Sequence, residues 1–490
     1  MSSLEELVQD DGIVHPRRAK IVATIGPATR SPETIRALIE AGANIFRLNF
    51  SHGTYDQHLE VLQHIRAAAR EMGVFIAILQ DLAGPKIRIT KVDASSDDLE
   101  NNATVHLRRS NGELSSSTTI YVETVDPSSV CKTGHQILLA DGSFVLQVTG
   151  VTSDEVECRV LRGGMLRSNI GIAFPDSELD LPATTEKDLR DLAWGIEHQV
   201  DYAALSFVSC ARDIERARDL LRSKKSDVQL IAKIERKSAL TNIDEILEVS
   251  DGVMVARGDL GLELPLEKLP IIQKLLIERC NYKGLPVIVA TQMLQSMVTS
   301  MRPTRAEVAD VSLAVLNGTD AIMLSEETAI GQYPIEAVRY LHRIAREAER
   351  RFEFSEYRWR LRAADSETVP DAVVYAACGA AVKLNASAII ACTETGRSAR
   401  LTAKYRPQQP LYGASSQTRT LQRMCLYWGV IPIYCSATKT HSDELSTALK
   451  EVQLREGLPN GSNAVVTGGA SVGTPGATSI MEIRVMSYRE

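Results

Sequence analysis

Short apolar runs alternate with stretches of helical spacing along most of the chain, and their rhythm divides it. Lys20–Ile25 reads as a strand ending at Gly26-Pro27, and Ser31-Pro32-Glu33 starts a helix with Ser as N-cap and Pro at the first helical position. Asn44–Phe50 reads as a second strand ending in Ser51-His52-Gly53, and a helix from about Asp56 to Met72 leads to a third, Val74–Gln80, which ends in Asp81. There the alternation stops. From 86 to 182 the text turns to short β-rich runs (TVHLRR, STTIYVE, HQILLADGSFVLQV, DEVECRVL), predicting an all-β domain inserted after strand three. Alternation resumes at Thr185, with strands at Tyr202–Val208, Leu230–Ile234, Val253–Ala256, Pro286–Thr291 and Ala321–Ser325. Eight near-continuous apolar strands, each followed by a helix, predict an α/β fold built on a closed parallel (β/α)8 barrel; an open doubly wound sheet is the alternative.

A charged helical stretch, about 347 to 364, leads to a third unit. Its Ala-rich helix (Asp371–Leu384) and strands at Ala388–Cys392, Leu411–Gly413, Val430–Tyr434, Ala464–Thr467 and Ile480–Val485 predict a smaller open-sheet α/β domain, with Gly468–Gly476 as a loop. The expected division is therefore a barrel in two parts, 1–85 and 183–355, the β-insert 86–182, and a C-terminal domain 356–490.

Composition narrows the ligands more than the fold. A chain of 490 residues has length for roughly three domains, and 44% apolar with 24% charged residues is ordinary for a globular protein. A net charge of −7 argues against broad binding to nucleic acid or acidic membranes, so an anionic ligand needs a local basic cluster. The eight Cys form no CxxC pair and several sit in apolar strands, which favours buried free thiols in a reducing compartment. The acidic start MSSLEELVQDD lacks the basic and apolar regions of a signal peptide, and no apolar run approaches membrane-spanning length. A cytoplasmic location is expected.

The candidate chemistry concentrates between Gln229 and Leu262. One strand there delivers Lys233 and Glu235, the next delivers Arg257 and Asp259, and parallel pairing would bring Glu235 to Asp259. Two carboxylates without His or Cys nearby suit a hard divalent ion, Mg²⁺ or Mn²⁺, which keeps open positions for substrate oxygens. Solvated strand-end charges, with Lys233 simply paired to Glu235, are the plainer reading. A lysine beside such a metal can stabilise an enolate or a transferring phosphoryl group. Arg47 and Arg88 offer forked donors for phosphate or carboxylate. The backbone of Arg257-Gly258-Asp259-Leu260-Gly261 can hold a small carboxylate, and Thr291 closes strand seven with a hydroxyl. Barrel chemistry sits at the C-terminal strand ends, which here carry Arg47, Asn49, Ser51, Asp81, Lys233, Glu235, Asp259 and Thr291. There is no GxxxxGK sequence and no dinucleotide fingerprint.

These motifs resemble the pyruvate kinase family. The matching stretches are Thr24-Ile25-Gly26-Pro27, RLNFSHGT (Arg47–Thr54), GPKIR (Gly84–Arg88), DLPATTEKD (Asp180–Asp188), AKIER (Ala232–Arg236), ARGDLG (Ala256–Gly261), VATQML (Val289–Leu294), RPTRAEVADV (Arg302–Val311) and MLSEETAIGQYP (Met323–Pro334). The resemblance implies a barrel, a lid domain, an effector domain and a homotetramer. It implies that phosphoryl passes from phosphoenolpyruvate to ADP, giving pyruvate and ATP. It assigns Glu235 and Asp259 to the divalent ion, Lys233 to the phosphoryl in flight and the enolate, and Arg47, with Arg88 beside it, to the phosphoryl group. Amides around Gly258-Asp259 and Thr291 would hold the substrate carboxylate; Thr291, Ser325 and Glu327 are candidates for the chain that protonates the enolate; Asn49 and His52 lie where the family meets ADP.

Three stretches depart from the family pattern or extend it beyond the barrel. Many relatives carry an acidic residue where this chain has Lys86, and bind K⁺ through positions matching Asn49, Ser51, Asp81 and the carbonyl of Leu82. An ammonium there repels K⁺ and supplies the same charge, so the chain resembles a K⁺-independent branch; a solvated hinge lysine is the alternative. Ser325-Glu326-Glu327 departs from a pattern with a small residue before the second Glu. Thr393-Glu394-Thr395-Gly396-Arg397-Ser398 resembles the family's sugar-phosphate effector loop, with Gly468–Gly476 as a second wall, against an ordinary capped helix; the expected effector is a phosphorylated small molecule. Two other functions stay open: a metal-dependent barrel lyase acting on pyruvate or phosphoenolpyruvate, and a silent regulatory protein keeping the fold.

Overall fold

A computed structural model describes residues 17–95, 97–140, 142–177, 179, 181–362, 368–438, 440–469 and 478–486. Its centre is a closed parallel barrel of eight strands, here β1 (Lys20–Ile25), β2 (Ile45–Asn49), β3 (Ala77–Asp81), β4 (Tyr202–Leu205), β5 (Gln229–Ile234), β6 (Gly252–Ala256), β7 (Val287–Ala290) and β8 (Ala321–Leu324). The order around the barrel is β1-β8-β7-β6-β5-β4-β3-β2, which removes the open-sheet alternative. Nearly every strand residue is buried, as expected where side chains fill the interior on one face and pack under helices on the other.

Local chemistry explains the element starts. Ser31 accepts from the Thr34 amide ahead of Pro32–Ala41, and Thr54 and Thr185 each close a capping box, with Gln57 and Asp188. Gly42, at φ +114°, ends the first helix in the left-handed region.

Several strands stop earlier than their apolar text. The run Tyr202–Val208 ends as a strand at Leu205, because Phe207 turns to φ +58°. The run Pro286–Thr291 ends at Ala290, where Thr291 and Gln292 take φ +72° and +54°. The run Ala321–Ser325 ends at Leu324, with Ser325 at φ −106°, ψ −93°. Strand three runs Ala77–Asp81 instead of Val74–Gln80, so Asp81 is its last residue, not its first loop residue. The apolar text runs past the strand ends because Val208 stays buried and Phe207, Thr291 and Ser325 half-buried after the backbone has changed direction.

The chain divides into two compact units, Met1–Leu48 with Thr54–Leu79 and Ile277–Glu490, and Asn49–Gly53 with Gln80–Leu276. Within the second, a six-stranded sheet orders Ile172–Ala173, Gln136–Leu139, Phe144–Val151, Val156–Arg162, Thr104–Arg109 and Thr119–Val122. All its pairings are antiparallel except the last, and it encloses its own core, including Val105, Leu107, Ile120, Leu146, Val156 and Val160. A short helix, Pro127–Val130, interrupts it.

Within the first unit, a five-stranded sheet orders Val430–Tyr434, Leu411–Ser415, Ala388–Cys392, Asn463–Gly469 and Thr478–Val485, the last strand antiparallel. Its helices include Val369–Lys383, Arg397–Lys404 and His441–Glu456. Residues 470–477, most of the expected Gly468–Gly476 loop, lie outside the described residues, and Gly468 and Gly469 belong to a strand.

The eight cysteines are free thiols and all but Cys210 are buried. Among the described residues, no helix is long and apolar enough to cross a membrane.

Candidate active site

The parallel pairing of β5 with β6, Lys233 opposite Met254 and Ile234 opposite Val255, sets the frame for the first group of candidates. Lys233 points its ammonium into a buried acceptor set: Glu235 Oε1 at 2.9 Å, Asp81 Oδ1 at 3.1 Å and Ser206 Oγ at 2.6 Å. The ion pair with Glu235 is therefore real, and it is part of a wider cluster in which only about a tenth of the Lys233 side chain is exposed. Glu235 is almost fully buried, and its second oxygen accepts the Phe207 amide at 2.7 Å.

Burial raises the Glu235 carboxyl above its ordinary range, with the Asp259 charge adding to the rise and Lys233 opposing it. A divalent cation would relieve that tension. Two hard carboxylates, one desolvated and both repelling, fit a magnesium-type ion, whose remaining positions stay free for ligand oxygens. Among the described residues no group of three His, Cys, Asp or Glu gathers for a metal, so the candidate site rests on this pair alone.

Asp259 lies in the first turn of Arg257–Glu263, the short helix that leaves β6, and Gly258 precedes it. Asn49 ends β2 and turns the chain: its side chain accepts the Ser51 amide at 3.1 Å and its carbonyl the His52 amide at 3.2 Å, leaving Ser51 and His52 exposed. The Asp81 carbonyl accepts the Phe50 amide at 2.9 Å, which fixes this turn against the end of β3. The Leu82 carbonyl accepts the Ser206 hydroxyl at 2.7 Å.

The two remaining basic candidates of this unit sit toward the β-rich segment. Arg88 bridges to Gly171, and its Nη1 donates to the Asn169 carbonyl at 2.7 Å. Lys86 is half-buried, and its side chain runs along Gly171, where a Cβ would be 3.2 Å from Lys86 Cε and 3.9 Å from Nζ.

The other unit carries its own group. Arg47, on β2, donates to Thr24 Oγ1 on β1 at 3.1 Å. Thr291 is strained: φ +72° is an outlier for a β-branched residue, and its hydroxyl donates to the Ala290 carbonyl at 2.6 Å. Glu327 braces this region. One of its oxygens accepts the Leu294 amide at 3.0 Å and the other the Ser325 amide at 2.7 Å, tying the loop after β7 to the end of β8. Burial raises its carboxyl, and those amides pull it back. Ser325 precedes the short helix Glu326–Ala329.

The effector candidates divide by burial. Thr393 is buried and its hydroxyl accepts the Gly396 amide at 2.9 Å, while buried Ser398 shares a 2.6 Å hydrogen bond with Thr478. Thr395 and Arg397 are exposed beside Gly396, which caps Arg397–Lys404 at φ +87°.

Sequence reasoning missed Ser206 and Phe207. Nothing in SFVS distinguishes a turn from the end of an apolar strand, although a serine within such a run is a visible polar signal.

Residues 16–338 match the family described as "Pyruvate kinase, barrel domain", and residues 371–484 match "Pyruvate kinase, alpha/beta domain". The chain is 41% identical over 477 residues to the pyruvate kinase of Geobacillus stearothermophilus, covering 96% of this chain and 81% of that protein. It is 43% identical over 479 residues to "Pyruvate kinase 2" of Synechocystis, covering 96% and 80%, and 40% identical over 483 residues to the pyruvate kinase of Dictyostelium discoideum, covering 96% and 95%. With both domains matched in order and relatives near 40% identity over almost its whole length, the chain belongs to the pyruvate kinase family.

Proposed function

We propose that this chain transfers the phosphoryl group of phosphoenolpyruvate to ADP, yielding pyruvate and ATP, with a divalent cation, Mg²⁺ or Mn²⁺, held by Glu235 and Asp259. The observation that carries the reading is the buried Lys233 ammonium at the end of β5, beside a carboxylate that burial and Asp259 destabilise. A structural ion pair needs no second acid arranged against it; a phosphoryl-transfer site does. When bound, the cation supplies charge neutralisation for the substrate oxygens.

The side chains then have distinct tasks. Lys233 neutralises the phosphoryl in transfer and the enolate it leaves behind, and Arg47 and Arg88 take phosphoryl oxygens. The amides at Gly258 and Asp259, with Thr291, hold the substrate carboxylate. Thr291 and Ser325 supply hydroxyls near the carbon that gains a proton, while Glu327, both oxygens occupied by amides, keeps those hydroxyls in place. Asn49 and His52 meet the nucleotide. Catalysis is thus mainly positioning and charge compensation. The β-rich segment 86–182 acts as a lid that excludes water.

Lys86 replaces the monovalent ion of the Asn49, Ser51, Asp81 and Leu82 region, so K⁺ is not required. The C-terminal domain, 356–490, binds a phosphorylated effector at 393–398, and the active form is a cytoplasmic homotetramer. The assay is pyruvate and ATP formation from phosphoenolpyruvate and ADP, with and without Mg²⁺. Turnover that needs the cation and vanishes in Lys233→Met supports the reading; full turnover in that variant removes it, and lyase products without ATP would favour the lyase. Rates with Na⁺ and K⁺ replaced by a bulky organic cation test Lys86, and strong K⁺ activation sinks that part.

A further inference from the structure

The residue that follows β4 has no role in the scheme above, yet it touches three parts of it. Ser206 is 3% exposed. It accepts a hydrogen bond from Lys233 Nζ at 2.6 Å and donates its own proton to the Leu82 carbonyl at 2.7 Å. The directions are forced: an ammonium only donates and a carbonyl only accepts, so the hydroxyl must receive from one and give to the other.

The next residue extends the grip. Phe207, at φ +58°, sends its amide to Glu235 Oε2 at 2.7 Å, so one turn holds both the lysine and a proposed cation ligand. The same turn presses on the chain that leads into the β-rich segment. A Cβ at Gly84 would stand 2.8 Å from Ser206 Cβ and 3.0 Å from the Phe207 ring.

We infer that Ser206 is a positioning residue for Lys233, holding the ammonium in register for phosphoryl transfer and linking that register to the Leu82–Gly84 segment. The inference rests on the role proposed for Lys233. Its chemical basis is the difference among the three acceptors around Nζ. Asp81 and Glu235 are carboxylates, which attract cations as well as the lysine. Ser206 is neutral and draws its orientation from a backbone carbonyl, so it keeps its hold on the ammonium when Glu235 is engaged elsewhere. An ammonium with one fixed neutral acceptor can exchange a carboxylate for a substrate oxygen without losing its position.

The test compares Ser206→Ala, Ser206→Cys and Ser206→Thr in the full chain, with Lys233→Met alongside. Ser206→Ala and Ser206→Cys are expected to lower kcat roughly 10- to 100-fold, the range for one hydrogen bond to a charged group, with KM for phosphoenolpyruvate changed less than about threefold. Ser206→Thr, which keeps the hydroxyl, is expected to recover to within about fivefold of wild type. The cysteine preserves volume if the alanine fails to fold. A kcat within twofold of wild type in the alanine or cysteine variant overturns the inference, as does an equal loss in all three that follows a drop in melting temperature. If Lys233→Met abolishes turnover while Ser206→Ala does not, only the assignment of Ser206 fails. Turnover retained in Lys233→Met removes the active-site reading itself.

Discussion

Arg406 Nη2 stands 3.0 Å from Asp320 Oδ2, and both side chains are almost wholly buried. Burying such a pair is costly unless every remaining donor and acceptor is met. Here the two Nη2 hydrogens are shared among Asp320, Asn281 Oδ1 at 2.7 Å and the Gly318 carbonyl at 2.8 Å, and Nη1 donates to the Ala403 carbonyl at 2.8 Å; among the described residues the buried Nε alone of the guanidinium nitrogens has no partner. Asp320 accepts the Val287 and Trp428 amides at 3.0 and 3.2 Å. The pair therefore joins the base of β8, which begins at Ala321, to the chain that follows the helix Arg397–Lys404. Arg406→Ala leaves a buried carboxylate uncompensated and is expected to cost about 3–5 kcal/mol. Chemical denaturation checks it; a loss under about 1 kcal/mol would mean that water or a neighbour replaces the guanidinium.

Gly84 is the position where a single methyl group tests the turn around Ser206. Its φ of +65° already disfavours a side chain, and the added Cβ would meet Ser206 Cβ and the Phe207 ring at distances that force movement. Gly84→Ala is expected to lower stability by about 1–3 kcal/mol, the cost of one strained residue. The melting temperature measures it, and an unchanged value would show that the turn yields freely.

The contrast between these positions and the strands explains what the sequence could convey. Continuous apolar runs such as Val253–Ala256 announce buried parallel strands, and Lys233, Glu235 and Asp259 follow them as charges that no core would accept without a reason. The helix start at Ser31 is legible for a local reason, since a cap acts within three residues, and the same chemistry at Thr185 marks where the alternation resumes. Backbone reversals are not legible. Phe207 and Thr291 are residues that ordinarily prolong a strand; the Glu235 carboxylate holds the Phe207 amide in its turn, and Glu327 holds the Leu294 amide three residues after Thr291, contacts that come from distant parts of the chain. The partnership of Asp81 with Lys233 was equally hidden, because it depends on where β3 stops and on which strands neighbour it around the barrel.

Burial reorders the expectations for the effector loop. Thr393 and Ser398 hold the loop's own amide and Thr478, whereas Thr395 and Arg397 face outward. Thr395→Ala and Arg397→Gln are expected to raise the concentration of a sugar-phosphate or nucleotide activator needed for half-activation by tenfold or more, with basal rate and melting temperature unchanged. Ser398→Ala is expected to lower the melting temperature as well. Activation curves for the three variants decide it; unaltered response in Thr395→Ala and Arg397→Gln would move the effector elsewhere.

His342 gives the chain a defined acid sensitivity. Its ring packs on Gly42, where a Cβ would lie 2.8 Å from Nδ1, and among the described residues that buried nitrogen has no hydrogen-bond partner. Burial, with the charges of Arg17, Arg346 and Arg343 adding to it, lowers its pKa from 6.5 to about 4. A histidine whose folded pKa lies below its unfolded value binds fewer protons when folded. Stability therefore rises with pH through the window from about 4 to 6.5, and is lost progressively as pH falls through it. Because the ring is only half-buried, solvent screening reduces the contribution to on the order of 1–2 kcal/mol across the window. His342→Asn removes the titration, so the difference in unfolding free energy between wild type and variant should shift in the variant's favour from pH 7 to pH 4.5. Denaturation series at both pH values provide the measurement, and parallel pH dependences for the two proteins would show that the imidazole reaches water in the folded chain.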